Sequence, residues 1–346
     1  MPGDIGPDDW LRQWQRAATG RHGFWRSARP PAHFRTAGDE RALTDPLTDS
    51  AALLIGIVEA ALPAPARPRV VDLGAGEGAL LAALARRRPA WGLAGVDVRD
   101  APADLPPHAE WHVAIRDVVA GRWTDREGRS VDPASWVGPG PTVLVAHEWL
   151  DDLPCPVAQR VGGGWRLLGP TGPLGPGDPG TVTWLDRWSP DAEVAEAGTT
   201  RDAAWLDAAR SLSGCTGLLV AIDYGHLRAD RPTGGTLAGY RDGRRVAPVP
   251  DGSTNLTAHV AVDALAAAVE ALPGVHRLRL ARRRNLFAEI WTDIRSPAPA
   301  PDPLAALVAA NRRRLLTDPA VWGDQWWVVH AVGAQAPHRA AHQRPH

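Results

Sequence analysis

Short apolar runs alternate along the chain with segments in which apolar residues recur every three or four positions. The runs predict buried strands at residues 69–73, 93–98, 111–115, 142–146, 218–222, 275–280 and 326–332. The helical spacing predicts helices at residues 8–19, 45–62, 77–88, 200–209, 260–272 and 304–316. Because strands that alternate with helices build parallel sheets, we expect an α/β fold with about seven strands.

Turns and breakers divide this pattern into segments. Residues 161–180 and 234–255 are rich in glycine, which predicts loops between short edge strands in the first segment and a hairpin in the second. The expected organisation is an N-terminal helix and lid-like segment over residues 1–45, an α/β domain over residues 46–334 with an insertion at about residues 224–258, and a disordered tail over residues 335–346.

The charge balance and the choice of basic residue exclude several classes of function. The 38 basic and 39 acidic residues give a formal net charge of -1, so the chain lacks the positive surplus that binds nucleic acid. Every basic residue is arginine. The absence of lysine excludes Schiff-base chemistry and a P-loop lysine.

Cysteine usage and hydropathy indicate the compartment. Cys155 and Cys215 are too few for a disulfide framework and lack the spacing of a zinc site, so we expect no metal. The longest apolar helical segment, residues 51–62, is shorter than the ~20 residues of a membrane span, and no secretory signal is visible. We therefore expect a cytoplasmic protein without a membrane partner.

A glycine-rich turn follows the first predicted strand, in the sequence VVDLGAGEG at residues 70–78. Alternate glycines let a ligand lie against bare backbone, and the helix that follows presents free amide hydrogens. About twenty residues later, Asp97 ends the next predicted strand, where a carboxylate can accept hydrogen bonds from both hydroxyls of a ribose. The turn therefore predicts a nucleoside-containing cofactor, with a purely structural turn as the alternative.

Two cofactors fit this arrangement. A dinucleotide site favours the wider G-x-G-x-x-G spacing, which Ala79 only approximates. The tighter spacing, with an acid at Asp72, favours S-adenosylmethionine, because its cationic methionine end needs a carboxylate nearby. Asp117 could accept a hydrogen bond from the adenine amine, or it could be a solvated acid in a turn. The predicted cofactor-binding residues are Asp72, Gly74, Ala75, Gly76, Gly78, Asp97, Val98 and Asp117.

Several further stretches narrow the interpretation. They are HFRT at 33–36, HEWLDDLP at 147–154, AIDYGH at 221–226, GTL at 235–237 with Tyr240, and NLTAHV at 255–260. With the glycine turn, they make roughly residues 24–330 resemble the MidA-like family of class I S-adenosylmethionine-dependent methyltransferases, which includes the mitochondrial complex I assembly methyltransferase. Where the family usually has Asn and Asp, this chain has His147 and Asn255.

The resemblance implies a fold, a cofactor and a reaction. The fold would be a Rossmann-like seven-stranded class I methyltransferase sheet with helices on both faces. S-adenosylmethionine would be the methyl donor, and a protein arginine side chain would be the acceptor. A protein substrate is therefore the expected partner.

The predicted catalytic residues follow the fourth main strand. A guanidinium acceptor needs carboxylates in fork geometry. Glu148 directly follows the strand, and Asp151 lies on the same side if the segment turns helical. Both acids could instead cap the next helix, and Asp152 is expected to face solvent. His147 could bond to the cofactor's amino group or accept a proton near neutral pH, or it could be a buried histidine with a structural role.

Residues after the fifth buried strand and at the start of a later helix would line the acceptor site. The predicted substrate-binding residues are Asp223, Tyr224, His226 and His259. The arginine run at residues 282–284 predicts a solvated helix or strand end. Two functions remain as alternatives to methyl transfer: an inactive assembly or chaperone-like factor that keeps the fold, which the changes at His147 and Asn255 would favour, and an NAD-dependent oxidoreductase.

Overall fold

The structure is a computed structural model. It describes residues 7–27, 46–63, 67–169, 172–293, 307, 310–311, 314, 316–319 and 323–333. The lid-like stretch at residues 33–36 and the predicted tail lie outside the described residues, as does most of the helix predicted at residues 304–316.

Strands and helices alternate over much of the described chain. The strands are β1 (Arg69–Leu73), β2 (Gly92–Asp97), β3 (Ala109–Val113), β4 (Ile115–Asp117), β5 (Arg122–Thr124), β6 (Ser130–Val131), β7 (Thr142–His147), β8 (Val157–Val161), β9 (Gly164–Gly169), β10 (Gly172–Pro176), β11 (Val194–Glu196), β12 (Gly217–Asp223), β13 (Gly225–His226), β14 (Ala238–Arg241), β15 (Arg244–Val246), β16 (Asn255–Thr257), β17 (Val260–Ala261), β18 (Val275–Arg282) and β19 (Trp326–Val332). The α-helices span Pro7–Thr19, Phe24–Ser27, Pro46–Ala61, Ala79–Arg87, Pro179–Trp188, Thr199–Ser211, Val262–Glu270 and Arg283–Asp293.

A seven-stranded sheet forms the centre of the molecule, in the order β18-β19-β12-β7-β1-β2-β3. Strands β3, β2, β1, β7 and β12 run parallel, whereas β19 is antiparallel to both β12 and β18. The predicted α/β fold is confirmed. The strand predicted at residues 111–115 is instead split in two: β3 pairs with β2 in the central sheet, whereas β4 pairs with β5 in a separate three-stranded sheet.

Helices cover both faces of this sheet, as predicted. Val143 and Val145 of β7 point to the face covered by the helices Pro46–Ala61 and Ala79–Arg87, with Trp327 and Val329 of β19. Leu144 and Ala146 point to the opposite face, which the helices Thr199–Ser211 and Val262–Glu270 cover. Every residue of β7 is buried, because a parallel strand covered on both faces has no solvent side.

The segments outside the sheet differ in part from the sequence prediction. Residues 161–180 contribute to an antiparallel sheet of four strands, β10-β9-β8-β11, and the helix Pro179–Trp188 was not predicted. Its N-cap is Asp178, whose carboxylate accepts a hydrogen bond from the Thr181 amide (3.0 Å). The predicted hairpin is present as β14 and β15, with Asp242 and Gly243 at positive φ in its turn.

The helix Pro7–Thr19 packs on the loops that follow the sheet strands. Trp10, Leu11, Trp14 and Ala18 form an apolar cluster with Cys155, Val157, Leu256 and Ala258. The Trp10 indole donates to the Cys155 carbonyl (3.3 Å). Among the helices in the described part of the chain, none has the length and apolar character needed to cross a membrane.

Candidate functional site

A cavity lies where the carboxyl ends of β1, β2 and β7 meet, which is where parallel α/β sheets bind their ligands. Its lining includes Gly74, Gly76, Asp97 and Val98 from the first two strands, Ala114, Arg116 and Trp123 beyond them, and Glu148, Trp149 and Asp152 after β7. Gln15, Ala18, Thr19 and Trp25 of the N-terminal helices close its other side. Four of the eight predicted cofactor residues and one of the three predicted catalytic residues, Glu148, therefore share one cavity.

The glycine turn holds an unusual backbone. Gly74, Gly76 and Gly78 have φ angles of +73°, +59° and +70°, a region that glycine adopts without strain. The Gly74 and Ala75 amides donate to the Val96 carbonyl (2.8 and 3.2 Å), which fixes the turn against β2. The helix begins at Ala79, two residues later than predicted, since Gly78 still has a left-handed conformation.

Each glycine of the turn leaves space where another residue would have a side chain, and the group next to that space differs between Gly74 and Gly76. A Cβ at Gly74 would lie 2.5 Å from Cδ1 of Trp149, so this glycine accommodates an indole ring of the protein itself. A Cβ at Gly76 would meet only the Arg99 guanidinium, at 3.5 Å. The bare backbone available to a ligand is therefore that of Gly76.

Asp97 connects the turn to the cavity. Its Oδ2 accepts a hydrogen bond from the Gly76 amide (2.8 Å), and its Oδ1 accepts one from the Arg99 amide (2.9 Å). Burial raises the pKa of the Asp97 carboxyl, and the Arg99 guanidinium opposes that shift. A carboxylate fixed at the end of β2 and lining the cavity fits the predicted ribose-binding role.

Asp72 lies beneath the turn and is 3% exposed. Burial, and then the neighbouring Asp97 carboxylate, raise its pKa from an ordinary 3.8 to about 8. Its Oδ1 has no hydrogen-bond partner among the described residues. Such an orphaned buried carboxyl oxygen fits a site that receives a cationic group, directly or through water.

The structure does not bring every predicted cofactor residue to the cavity. Asp117 is the clearest exception, because its Oδ1 accepts hydrogen bonds from the Val119 and Ala120 amides (3.0 and 2.8 Å) and caps a turn. Ala75 and Gly78 shape the turn without lining the cavity, and Asp72 beneath the turn does not line it either.

Arg116, beside Asp117, does line the cavity, and sequence reasoning missed it. Its side chain is 2% exposed and pairs with Asp207 at 2.7 Å. Two of its nitrogens, Nε and Nη1, have no partner in the described part of the chain. An arginine in a short strand gives no sequence sign that tertiary packing will bury it.

Glu148 lines the cavity with a strained backbone. Its φ of +50° is unusual for a residue with a side chain, and its amide donates to the Ile222 carbonyl (2.8 Å). The Gln325 side-chain amide donates to Glu148 Oε1. The strained turn and this hydrogen bond hold the carboxylate at the cavity wall.

Two of the predicted acids serve the loop and not the cavity. Asp223 Oδ2 accepts hydrogen bonds from the Leu150 and Asp151 amides (3.0 and 3.2 Å), and its Oδ1 accepts one from the Tyr224 amide (2.8 Å). Asp151 is 9% exposed, and burial raises its pKa to about 6 although Arg201 opposes the shift. Neither residue lines the cavity.

Asp152 lines the cavity, so the prediction that it faces solvent was wrong. The Asn255 side-chain amide donates to Asp152 Oδ1 at 2.9 Å. Burial raises the pKa of Asp152 well above its ordinary value, and the Asp151 carboxylate adds to the shift. The contact joins residues 103 positions apart, which no local pattern could reveal.

His147 points away from the cavity. Its Nε2 lies 3.3 Å from Ser50 Oγ and 3.5 Å from Arg283 Nη2. Burial, and then the Arg283 charge, lower its pKa to about 3, so its ring is neutral and is not the predicted base near neutral pH. Arg283 is fully buried, which corrects the prediction that the run at residues 282–284 is solvated.

The remaining predicted acceptor residues lie outside the cavity. His226 Nδ1 accepts a hydrogen bond from Arg231 (3.1 Å), and burial lowers the pKa of His226 to about 3. The rings of His226 and His259 are 6.3 Å apart. Burial raises the pKa of Tyr224, and the Glu148 charge adds to that shift. None of these three side chains lines the cavity.

Arg201 organises the loop after β7, and sequence reasoning missed it as well. This buried guanidinium donates to the carbonyls of Asp151, Leu153, Ala258 and His259 at 2.7 to 3.1 Å. It therefore joins the loop that carries the cavity acids to the segment just after β16.

Comparison with known proteins gives similarity at the level of structure. No protein-family model matches the sequence, and neither does any curated protein sequence. A COG1565 superfamily member from Burkholderia thailandensis, a candidate methyl transferase bound to S-adenosyl-homocysteine, has a similar structure with a TM-score of 0.68, at 21% identity over 94% of this chain and 88% of that chain. A native crystal structure of a COG1565 superfamily protein from the same organism has a TM-score of 0.68, at 20% identity over the same shares. At these identities the similarity establishes that the chain shares their fold.

Proposed function

We propose that this protein is an S-adenosylmethionine-dependent methyltransferase whose acceptor is a protein arginine side chain. The observation that carries the proposal is the cavity that joins the bare backbone of Gly76 and the carboxylate of Asp97 to the carboxylates of Glu148 and Asp152. A donor site and an acid-lined acceptor site in one cavity are what methyl transfer to a cationic group requires.

The residues around the glycine turn fit the donor. Gly76 would leave room for it, Asp97 would accept hydrogen bonds from its ribose, and Val98 would line the space beyond. The orphaned Asp72 oxygen would face its cationic end. The Burkholderia protein of the same fold was crystallised with S-adenosyl-homocysteine, which supports this choice over a dinucleotide.

S-adenosylmethionine supplies a methyl group on a positively charged sulfur, which departs as a neutral thioether. The protein's task is to orient the acceptor, to exclude water and to take up one proton. Glu148 and Asp152 would hold the acceptor by charge-assisted hydrogen bonds, and the Glu148 carboxylate would receive the proton that the acceptor nitrogen loses. The N-terminal helices would close the cavity to water.

Isothermal titration with S-adenosylmethionine, S-adenosylhomocysteine and NADH tests this proposal. We expect both adenosyl compounds to bind and NADH not to bind. Binding of NADH alone would favour the oxidoreductase, and binding of none of the three would favour the inactive assembly factor. Transfer of an isotopically labelled methyl group to arginine, read by mass spectrometry of a lysate, tests the acceptor.

A further inference from the structure

Four carboxyl groups gather after β7 and β12, but they do not share one environment. Glu148 and Asp152 line the cavity, whereas Asp151 and Asp223 lie behind it. Asp223 uses both oxygens to hold backbone amides of the loop. Sequence spacing suggested Glu148 and Asp151 as the two carboxylates of the acceptor site. The structure instead places Glu148 and Asp152 together in the cavity wall.

The two cavity carboxylates are each held by a neutral amide. Gln325 donates to Oε1 of Glu148, and Asn255 donates to Oδ1 of Asp152 (2.9 Å). A neutral donor fixes the orientation of a carboxylate without cancelling its charge, unlike the guanidinium that Arg99 offers to Asp97. Each carboxylate is thus oriented by a neutral donor, while the Arg283 charge acts on Glu148 and the Arg201 charge acts on Asp152.

The Arg201 charge only partly opposes the rise in the pKa of Asp152, whose hydrogen bond comes from the neutral Asn255 amide. Arg201 is the buried guanidinium of this loop, but it directs its donors to four backbone carbonyls. The nine-tenths-buried Asp151 beside it carries an oxygen, Oδ1, that has no hydrogen-bond partner in the described part of the chain. Burying negative charge without a partner is costly, so the part of the cavity beside Asp152 favours a ligand that brings a positive charge.

The residue at position 255 fits the same interpretation. The family that the sequence resembles usually has Asp there. An aspartate at this position would place a second carboxylate against Asp152, and the two would repel each other. The Asn255 amide replaces that repulsion with a hydrogen bond. The departure at position 255 therefore leaves Asp152 oriented by a hydrogen bond and does not remove the site.

We propose that Asp152 is the second acceptor-binding carboxylate, which clamps a guanidinium together with Glu148, and that Asn255 is its positioning residue. The proposal rests on the proposed methyl-transfer function. It assigns substrate specificity to the pair Asp152 and Asn255, because a planar guanidinium can donate to two carboxylates at once.

The test uses capped peptides with one central arginine, and matched peptides with citrulline, which keeps the shape but not the charge. Binding to the full-length protein saturated with S-adenosylhomocysteine is measured by isothermal titration. We expect the wild type to prefer arginine to citrulline, and Asp152→Asn to weaken arginine binding about tenfold or more, as for loss of a charge-assisted hydrogen bond. Asp191→Asn, which removes an exposed carboxylate elsewhere, is the matched control.

Methyl transfer to a library of the arginine peptides separates orientation from folding. Asp152→Asn should raise KM with little change in the affinity for S-adenosylhomocysteine, and Asn255→Ala should give a smaller rise. The double variant Asp152→Asn with Asn255→Asp exchanges the carboxylate and the amide between the two positions. It should recover part of the arginine affinity that Asp152→Asn loses.

Two results would overturn the clamp while leaving methyl transfer intact. One is an unchanged KM and arginine affinity in Asp152→Asn, and the other is equal binding of citrulline and arginine peptides by the wild type. Failure of the wild type to bind S-adenosylmethionine would be a distinct result, because it would overturn the proposed function and the clamp with it.

Discussion

At the scale of single residues, the cavity depends on carboxyl groups that are buried before any ligand arrives. Asp72 and Asp97 lie close enough for the Asp97 charge to raise the pKa of Asp72. Burial is the larger cause for both. Such groups lower the stability of the empty protein, and a ligand that brings a positive charge would recover part of that stability.

The pH dependence of stability tests the environment of Asp72. The unfolded chain gives up the Asp72 proton near about pH 4, whereas the folded protein keeps it to about pH 8. The free energy of unfolding therefore falls as pH rises through this window. Asp72→Asn should remove the fall, with a free energy of unfolding equal to that of the wild type at low pH and higher at pH 8 by about 5 kcal/mol.

Thermal unfolding across this pH range measures the effect of Asp72→Asn. Asp191→Asn serves as the control, since it neutralises an exposed aspartate and should leave the pH slope unchanged. Parallel curves for Asp72→Asn and wild type would contradict the raised pKa.

A second residue-scale prediction concerns Gly76. Gly76→Val should weaken binding of S-adenosylhomocysteine by more than about tenfold, because the new side chain fills the space that the ligand needs. Gly162→Val is the matched control: its φ of +57° is close to the +59° of Gly76, and it lies in the open turn between β8 and β9.

Both substitutions place a side chain in the left-handed region, at a cost of about 1–2 kcal/mol. Equal loss of binding in Gly76→Val and Gly162→Val would mean that strain, and not the occupied space, causes the effect. Isothermal titration beside a thermal unfolding curve for each variant distinguishes the two causes.

The sequence could identify residues whose role follows from their place at the end of a strand. Asp97 and Glu148 were found in this way, because each follows an apolar run that reads as a buried strand. Asp117 and Asp223 satisfy the same criterion, yet they hold backbone amides outside the cavity. Which way a carboxylate turns depends on the amides around it, and these become neighbours only when the loops fold.

At the scale of elements, the central sheet was predictable because each buried strand is a continuous apolar run. The bounds of β1 and β19 agree with prediction to the residue. The helix Pro179–Trp188 was not predictable as easily, because its first turn lies in a glycine- and proline-rich stretch. The contact of Asn255 with Asp152 was outside the reach of local patterns, since it joins β16 to the loop after β7.

The Glu196 side chain connects the insertion at about residues 224–258 to the four-stranded sheet by hydrogen bonds. Glu196, at the end of β11, accepts hydrogen bonds from the Thr236 and Leu237 amides (2.7 and 2.8 Å) and from the Thr236 hydroxyl (3.1 Å). Because a carboxylate with three donors is strongly held, we expect Glu196 to fix the segment before β14. The strand β16, which carries Asn255, pairs with β14.

Glu196→Ala should therefore loosen the insertion and leave the central sheet intact. We expect hydrogen exchange over residues 236–257 to accelerate about thirtyfold, as for a loss on the order of 2 kcal/mol in local stability. Glu193→Ala, three residues earlier and exposed, should leave exchange unchanged. Faster exchange throughout β7 and β12 would show instead that the substitution destabilises the whole fold.

At the scale of the whole molecule, the cavity is assembled from segments far apart in sequence. The helix Pro7–Thr19 supplies Gln15, whose side-chain oxygen accepts a hydrogen bond from the Val118 amide (3.1 Å). The sheet supplies the glycine turn and the two carboxylates, and the insertion supplies Asn255. A ligand in this cavity would contact the N-terminal helix, the glycine turn and the loop after β7 at the same time, so its binding should couple them.

Hydrogen exchange with and without S-adenosylhomocysteine tests this coupling. At about one hundred times its dissociation constant, the ligand should stabilise the protein by about 2.7 kcal/mol. We expect slower exchange together in the helix Pro7–Thr19, in the glycine turn and in residues 148–154, because all three line the cavity. The strands β9 and β10 do not contribute to its lining and should change little. Protection confined to the glycine turn would mean that the N-terminal helix does not close over the ligand, and that only the sheet holds it.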